Sequence, residues 1–157
     1  MGVTVVPLGQ EDAGEVLTLQ RAAYVTEAQA HDDPHIPPLL ETLDALRAGL
    51  GDPAVLALGV RDDGRLVGAV RCRVEGRVGA VGRLVVAPDR QGRGLGGMLL
   101  AAVEEALHGR VERLVLFTGE KRAGNRRLYA SHGYAVVRQE RVSSSMTLVH
   151  LEKQLAP

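Results

Sequence analysis

The sequence predicts an α/β domain, with a mixed, mainly antiparallel sheet of about seven strands flanked by about four helices. Three observations carry that reading. Ala54–Val60, Leu66–Val74 and Val78–Val86 are β-rich runs joined by the turn signals Asp62-Asp63-Gly64 and Glu75-Gly76, the pattern of an antiparallel meander. Segments with helical apolar spacing lie on both sides of that meander. The 157 residues suffice for one domain, read here as 1–157, that buries about two-thirds of its unfolded surface.

In chain order, Val3–Val6 reads as a first strand. Glu11–Ala30 repeats apolar residues at Val16, Leu19 and Ala23 and reads as a helix. His31–Pro38 carries prolines at 34, 37 and 38, which break any ladder, so it is read as irregular. Leu39–Leu50 returns to helix and closes near Gly49 or Gly51. After the meander, Leu95–Leu107 predicts a helix with its apolar stripe at Leu95, Leu99, Ala102, Val103 and Ala106. Leu114–Phe117 is a short strand, and Asn125–His132 a short helix capped by Gly133. Tyr134–Val137 and Met146–Leu151 finish as strands across the turn Ser143-Ser144-Ser145.

Composition excludes several classes. The formal net charge is zero, which leaves no overall electrostatic footprint for nucleic acid. No apolar run approaches the ~20 residues that span a bilayer, so no membrane partner is expected. A single cysteine, Cys72, excludes an internal disulfide and fits a reducing compartment. Met1-Gly2-Val3 leads directly into a strand-like segment with no leader pattern, and the expected location is cytoplasmic.

The most informative stretch is Leu84–Leu100, LVVAPDRQGRGLGGMLL. A β-rich run ends at Pro88, a glycine-dense turn follows, and helical spacing then begins. Such a turn leaves unpaired backbone N–H groups at the positive end of a helix, an anion site suited to a pyrophosphate. Gly92, Gly94 and Gly97 match G-x-G-x-x-G literally. That dinucleotide fingerprint belongs directly on the first strand of a parallel unit, however. Here Ala87–Gln91 intervene, at least three strands come first, and the 60 residues after Gly97 are too few for a doubly wound sheet. A P-loop is excluded more simply, because no Lys-Ser/Thr pair follows the glycines.

Gln91-Gly92-Arg93-Gly94-Leu95-Gly96 instead resembles the Q/R-x-x-G-x-G/A signature of the GNAT superfamily of acyl-CoA-dependent N-acyltransferases. Gly124-Asn125-Arg126-Arg127-Leu128-Tyr129-Ala130-Ser131-His132-Gly133-Tyr134 resembles the later N-x-x-L-Y-x-x-x-G-Y/F segment of that family. The resemblance implies transfer of an acetyl group from acetyl-CoA, as co-substrate, to a primary amine by direct attack, with no metal. It implies a small-molecule or peptide amine as acceptor, and a family that often forms homodimers. A non-catalytic acyl-CoA-binding module is the alternative that the glycine turn alone would equally serve.

Residue by residue, the N–H groups of Gln91, Gly92, Arg93, Gly94, Leu95, Gly96 and Gly97 would cradle the pyrophosphate, with charge added by Arg90 and Arg93. The resemblance further implies a bulge that splays the preceding strand from its neighbour. Backbone groups across Leu84, Val85 and Val86 would then meet the pantetheine arm, and Leu84 N–H would serve as the oxyanion donor. It implies Tyr129 as the acid that reprotonates the departing thiolate, against packing of an aromatic on the sheet. Asn125 is either a coenzyme contact or an N-cap accepting from the Leu128 amide. Cys72 shares a strand face with Leu66, Val70 and Val74 and reads as core. Arg71 and Arg83, on central strands, should each hold a structural or a substrate carboxylate. No acidic residue stands on Val78–Val86, so the general base stays open among Glu27, His31, Glu75 and Glu120. His31, Asp32, Asp33 and His35 match no metal-ligand spacing and read as a solvated loop, in which the aspartates could attract an ammonium. His132 and His150 read as structural or surface residues. Arg126 and Arg127 are either a solvated helix face or contacts to a ribose phosphate.

Overall fold

The structure is a computed structural model that describes residues 2–156. Seven strands form one sheet: β1 (Val3–Pro7), β2 (Val55–Asp62), β3 (Arg65–Glu75), β4 (Val78–Val86), β5 (Arg113–Gly119), β6 (Ala135–Arg141) and β7 (Thr147–Gln154). Their spatial order is β1-β2-β3-β4-β5-β7-β6, antiparallel throughout except for a parallel β4–β5 pair. Five helices flank it: α1 (Ala13–Ala30), α2 (Pro37–Leu40), α3 (Leu43–Leu50), α4 (Leu95–Leu107) and α5 (Ala123–Ser131). No described helix is long and apolar enough to cross a membrane.

The prolines of the segment expected to be irregular start a helix rather than prevent one. Pro37 and Pro38 occupy the first positions of α2, where a missing N–H costs nothing. The extended backbone of Glu41 (ψ 128°) then interrupts the run, and Thr42 Oγ1 caps α3 by accepting from Ala45 N at 3.1 Å. The expected helix Leu39–Leu50 is therefore two helices with Glu41 at the break, which makes five helices rather than about four. The stripe of α4 is also rotated from the expected one. Leu95, Leu99, Leu100, Val103 and Leu107 are buried, while Ala106 is exposed, because the larger side chains take the core. Cys72 is fully buried as expected, and burial pushes its thiol up to about 12, which makes it inert.

Two features of the sheet position the site. β4 pairs with β5 only from Val78–Ala80 to Arg113–Val115, after which the two strands run on without pairing to one another. Within β4 the register to β3 slips: Arg71 opposes Gly82 and Ala69 opposes Val85, so Arg83 and Leu84 share the place opposite Val70. This is the bulge that the resemblance implied, and its first residue, Arg83, lies in the left-handed region at φ 52°.

Candidate active site

The cleft between the separated ends of β4 and β5 is edged by backbone. Ala87 N–H donates to Val67 O at 2.8 Å, toward β3. By pleat alternation, the N–H of Val86 points the other way, into the cleft, and Leu84 stands two residues before it at the bulge. Val85, between them, faces β3 and is buried in the core.

The glycine turn closes the end of this cleft. Gly92 and Gly94 have φ of 76° and 78°, a conformation that glycine takes without the Cβ penalty of other residues. Gly94 is the N-cap of α4, and its carbonyl accepts from Met98 N at 3.0 Å. Among the described residues, none of the N–H groups from Gln91 to Gly97 donates to the protein. They form a fan at the positive end of a helix of 13 residues. Gly96 and Gly97 have a different reason to be glycine. A Cβ at Gly96 would stand 3.1 Å from Leu128 Cδ2, and one at Gly97 would stand 2.8 Å from His132 Nε2, so both allow α5 to lie close against α4. Arg93 is exposed and makes no ion pair among the described residues, whereas Arg90 is committed to Asp89 at 2.7 Å and Asp62 at 3.4 Å. The charge expected of Arg90 is thus spent within the protein.

Tyr129 projects from α5 and is 6 % exposed, its ring edge-on to Tyr134 with centroids 6.0 Å apart. Burial, with Glu27 close by, pushes its phenol up to about 12 against the opposing pull of Arg122. Asn125 lies inside the first turn of α5, whose N-cap is Arg122, so the N-cap reading of Asn125 does not hold.

The side of α1 that packs toward β3 and β4 carries polar groups where a core helix would be apolar. Gln20, Tyr24 and Glu27 recur at helical intervals on it, and His31 follows as the C-cap. Glu27, with its side chain 17 % exposed, pairs with Arg122 at 3.6 Å. His31 is buried at 4 % exposure against Gly119, and neither ring nitrogen has a partner among the described residues. The expectation of a solvated loop therefore fails for His31, which turns inward at the end of α1. It holds for Asp32, Asp33 and His35, all exposed, with Asp33 Oδ1 accepting from His35 N at 2.8 Å. No group of three or more metal-ligating side chains occurs among the described residues. Glu75 lies at the β3–β4 hairpin, the opposite end of β4 from the glycine turn, and Glu120 is exposed beyond β5.

Sequence reasoning missed Glu41. Its Oε1 accepts from Arg71 Nη2 at 2.8 Å and Gln20 Nε2 at 2.9 Å, and its Oε2 accepts from Arg71 Nη1 at 3.2 Å. Burial opposes its ionisation, but Arg71 and Gln20 outweigh burial and hold the carboxyl at about 2. A glutamate placed just after two prolines and two leucines carried no signal of its own, because its partners are 21 and 30 residues away in sequence.

The three tyrosines of the chain, Tyr24, Tyr129 and Tyr134, all have phenols raised by burial. A folded-state pKa above the unfolded value means that the unfolded chain gives up these protons first. The stability these three phenols contribute is therefore fully present below about pH 10 and falls as pH climbs above it. Tyrosinate absorbance and loss of the circular-dichroism signal should rise together in an alkaline titration. A phenolate signal completed near pH 10 with the fold intact would contradict this burial.

Residues 16–134 match the Acetyltransferase (GNAT) family. The mycothiol acetyltransferase of Kineococcus radiotolerans is 40 % identical over 98 residues, which cover 60 % of this chain and 32 % of that protein. The chain thus spans about a third of the length of this curated relative. The yncA protein of Salmonella typhimurium, solved with its cofactor acetyl-CoA, superposes with a TM-score of 0.80 at 18 % identity, over 100 % of this chain and 96 % of its own. The PaiA N-acetyltransferase of Thermoplasma acidophilum, solved with coenzyme A, gives 0.78 at 17 % identity, over 98 % and 99 %. The chain belongs to the GNAT family.

Proposed function

We propose that this protein transfers an acetyl group from acetyl-CoA to a primary amine. The observation that carries the reading is the conjunction of an unpaired N–H fan with a sheet cleft that opens onto it. In this reading the N–H groups from Gln91 to Gly97 hold the pyrophosphate, and Arg93 adds charge from the rim. Leu84 and Val86 receive the pantetheine arm, with Val85 keeping their spacing and Asn125 facing the coenzyme from α5.

When the amine adds to the thioester carbonyl, negative charge develops on its oxygen. Leu84 N–H, fixed by the bulge, is aimed at that oxygen, and such a donor contributes about 3–4 kcal/mol. As the C–S bond breaks, Tyr129 gives its proton to the thiolate. A phenol held at about 12 stays protonated at neutral pH and is available as an acid. The amine must lose a proton, and of the four candidates only Glu27 and His31 come to the cleft. No side chain forms a covalent intermediate in this scheme.

The test is acetyl-CoA-dependent release of free thiol on addition of amines, with the acetylated amine identified by mass. Stoichiometric thiol and amide support transfer. Tight acetyl-CoA binding without amide from any amine would favour the non-catalytic acyl-CoA-binding module.

A further inference from the structure

Arg83 is an arginine where the backbone favours glycine. Its φ of 52° places it in the left-handed region, which is strained for a residue with a Cβ. Strain of this kind persists where a side chain is needed at that spot. Service to Glu41 does not account for it. Both oxygens of Glu41 are already taken by Arg71 and Gln20, and Arg83 Nε stands 3.7 Å from Oε1, beyond hydrogen-bonding distance. That Nε is buried without a partner among the described residues, and no other hydrogen bond from this guanidinium occurs among them. The side chain is 31 % exposed, so its head is neither enclosed nor free in solvent.

The charges around it do not balance. Among the described residues, the guanidiniums of Arg71, Arg83 and Arg122 share two carboxylates in their ion pairs, Glu41 and Glu27, and Arg71, Arg83 and Glu27 lie near Tyr24. Arg122 is paired to Glu27, and Glu41 gives its hydrogen bonds to Arg71, which leaves Arg83 a longer 3.7 Å approach to a carboxylate it must share. A polyamine entering here would meet a surplus cation with both glutamates already paired.

Resting on the acetyl-transfer reading, we propose that Arg83 binds a carboxylate of the acceptor, so that the amine acetylated here belongs to an amino-acid-like molecule. Arg83 precedes Leu84 on the bulge. A carboxylate held by its fork carries an α-amine only two bonds from the carboxylate carbon, on the α1 side of the cleft. The guanidinium matches a carboxylate in shape as well as charge.

The experiment compares kcat/KM for thiol release with free α-amino acids, the corresponding carboxamides, and spermidine. Wild type is expected to prefer acids over amides by about 10–100-fold, the value of a charge-assisted pair. In Arg83→Gln and Arg83→Gly that ratio should fall to about one. The glycine variant relieves the left-handed strain, so a misfolded glutamine variant would not decide the matter. Using the ratio within each protein cancels any general loss of rate. Equal turnover of acids and amides, preference for spermidine, or a ratio that survives both substitutions would overturn the inference and leave acetyl transfer standing. No thiol release from any of these amines would overturn the transfer reading and this inference together.

Discussion

Replacing Tyr129 with phenylalanine should lower kcat by about 10²-fold while leaving the dissociation constant for acetyl-CoA unchanged. The substitution removes one oxygen from a buried ring that packs edge-on to Tyr134, so the fold keeps its contacts. Among the described residues the phenol makes no hydrogen bond to the protein, so no internal partner is orphaned by its removal. What is lost is the proton for the thiolate. The loss should be greatest for a thiol leaving group and small for an activated acyl donor whose leaving group needs no proton. Rapid-quench measurement of the acetyl step, with calorimetry for binding, separates the two quantities. A full-rate Tyr129→Phe enzyme would return Tyr129 to the role of a packing aromatic. A drop in rate matched by a drop in affinity would make it a coenzyme contact instead.

Gly94→Val should weaken acetyl-CoA binding by about 10²-fold. At φ 78° a β-branched residue is strained, and relief of the strain rotates the peptide that begins α4. Each N–H turned away from a bound phosphate forfeits about 1.5–3 kcal/mol, and one or two such losses give the stated factor. Strain alone is controlled by Gly64→Val. Gly64 has φ 90° in the β2–β3 turn and, like Gly94, open space where a Cβ would stand. Both variants should lose similar stability, but only Gly94→Val should lose affinity. Equal affinity losses in the two would mean that general destabilisation, not the N–H fan, sets binding.

Much of the fold was readable from local chemistry. The meander followed from Asp-Asp-Gly and Glu-Gly turns, and the end of α5 from Gly133, whose φ of 90° supports the hydrogen bond from Tyr134 N to Tyr129 O. The glycine turn was legible because strand, proline and glycines are consecutive. Elements held by distant partners were not. The break at Glu41 is fixed by an ion pair to Arg71 on β3, and His31 is buried by contact with Gly119 at the end of β5. β6 and β7 run to Arg141 and Gln154, past the apolar residues that marked them, because ladder pairing rather than hydrophobicity extends them. Gly96 and Gly97 show the same limit. Their neighbours Leu128 and His132 lie on another helix, so a packing requirement looked like part of an anion turn.

The most direct test of the central claim, a coenzyme A site in the splayed sheet, is thermal melting with acetyl-CoA and, separately, with NADH. At about 100 times its dissociation constant a ligand stabilises by about 2.7 kcal/mol, which should raise the midpoint by about 5–10 °C in a domain of this size. The predicted result is that rise with acetyl-CoA and none with NADH. A rise with NADH alone, or no rise with either, would contradict the account.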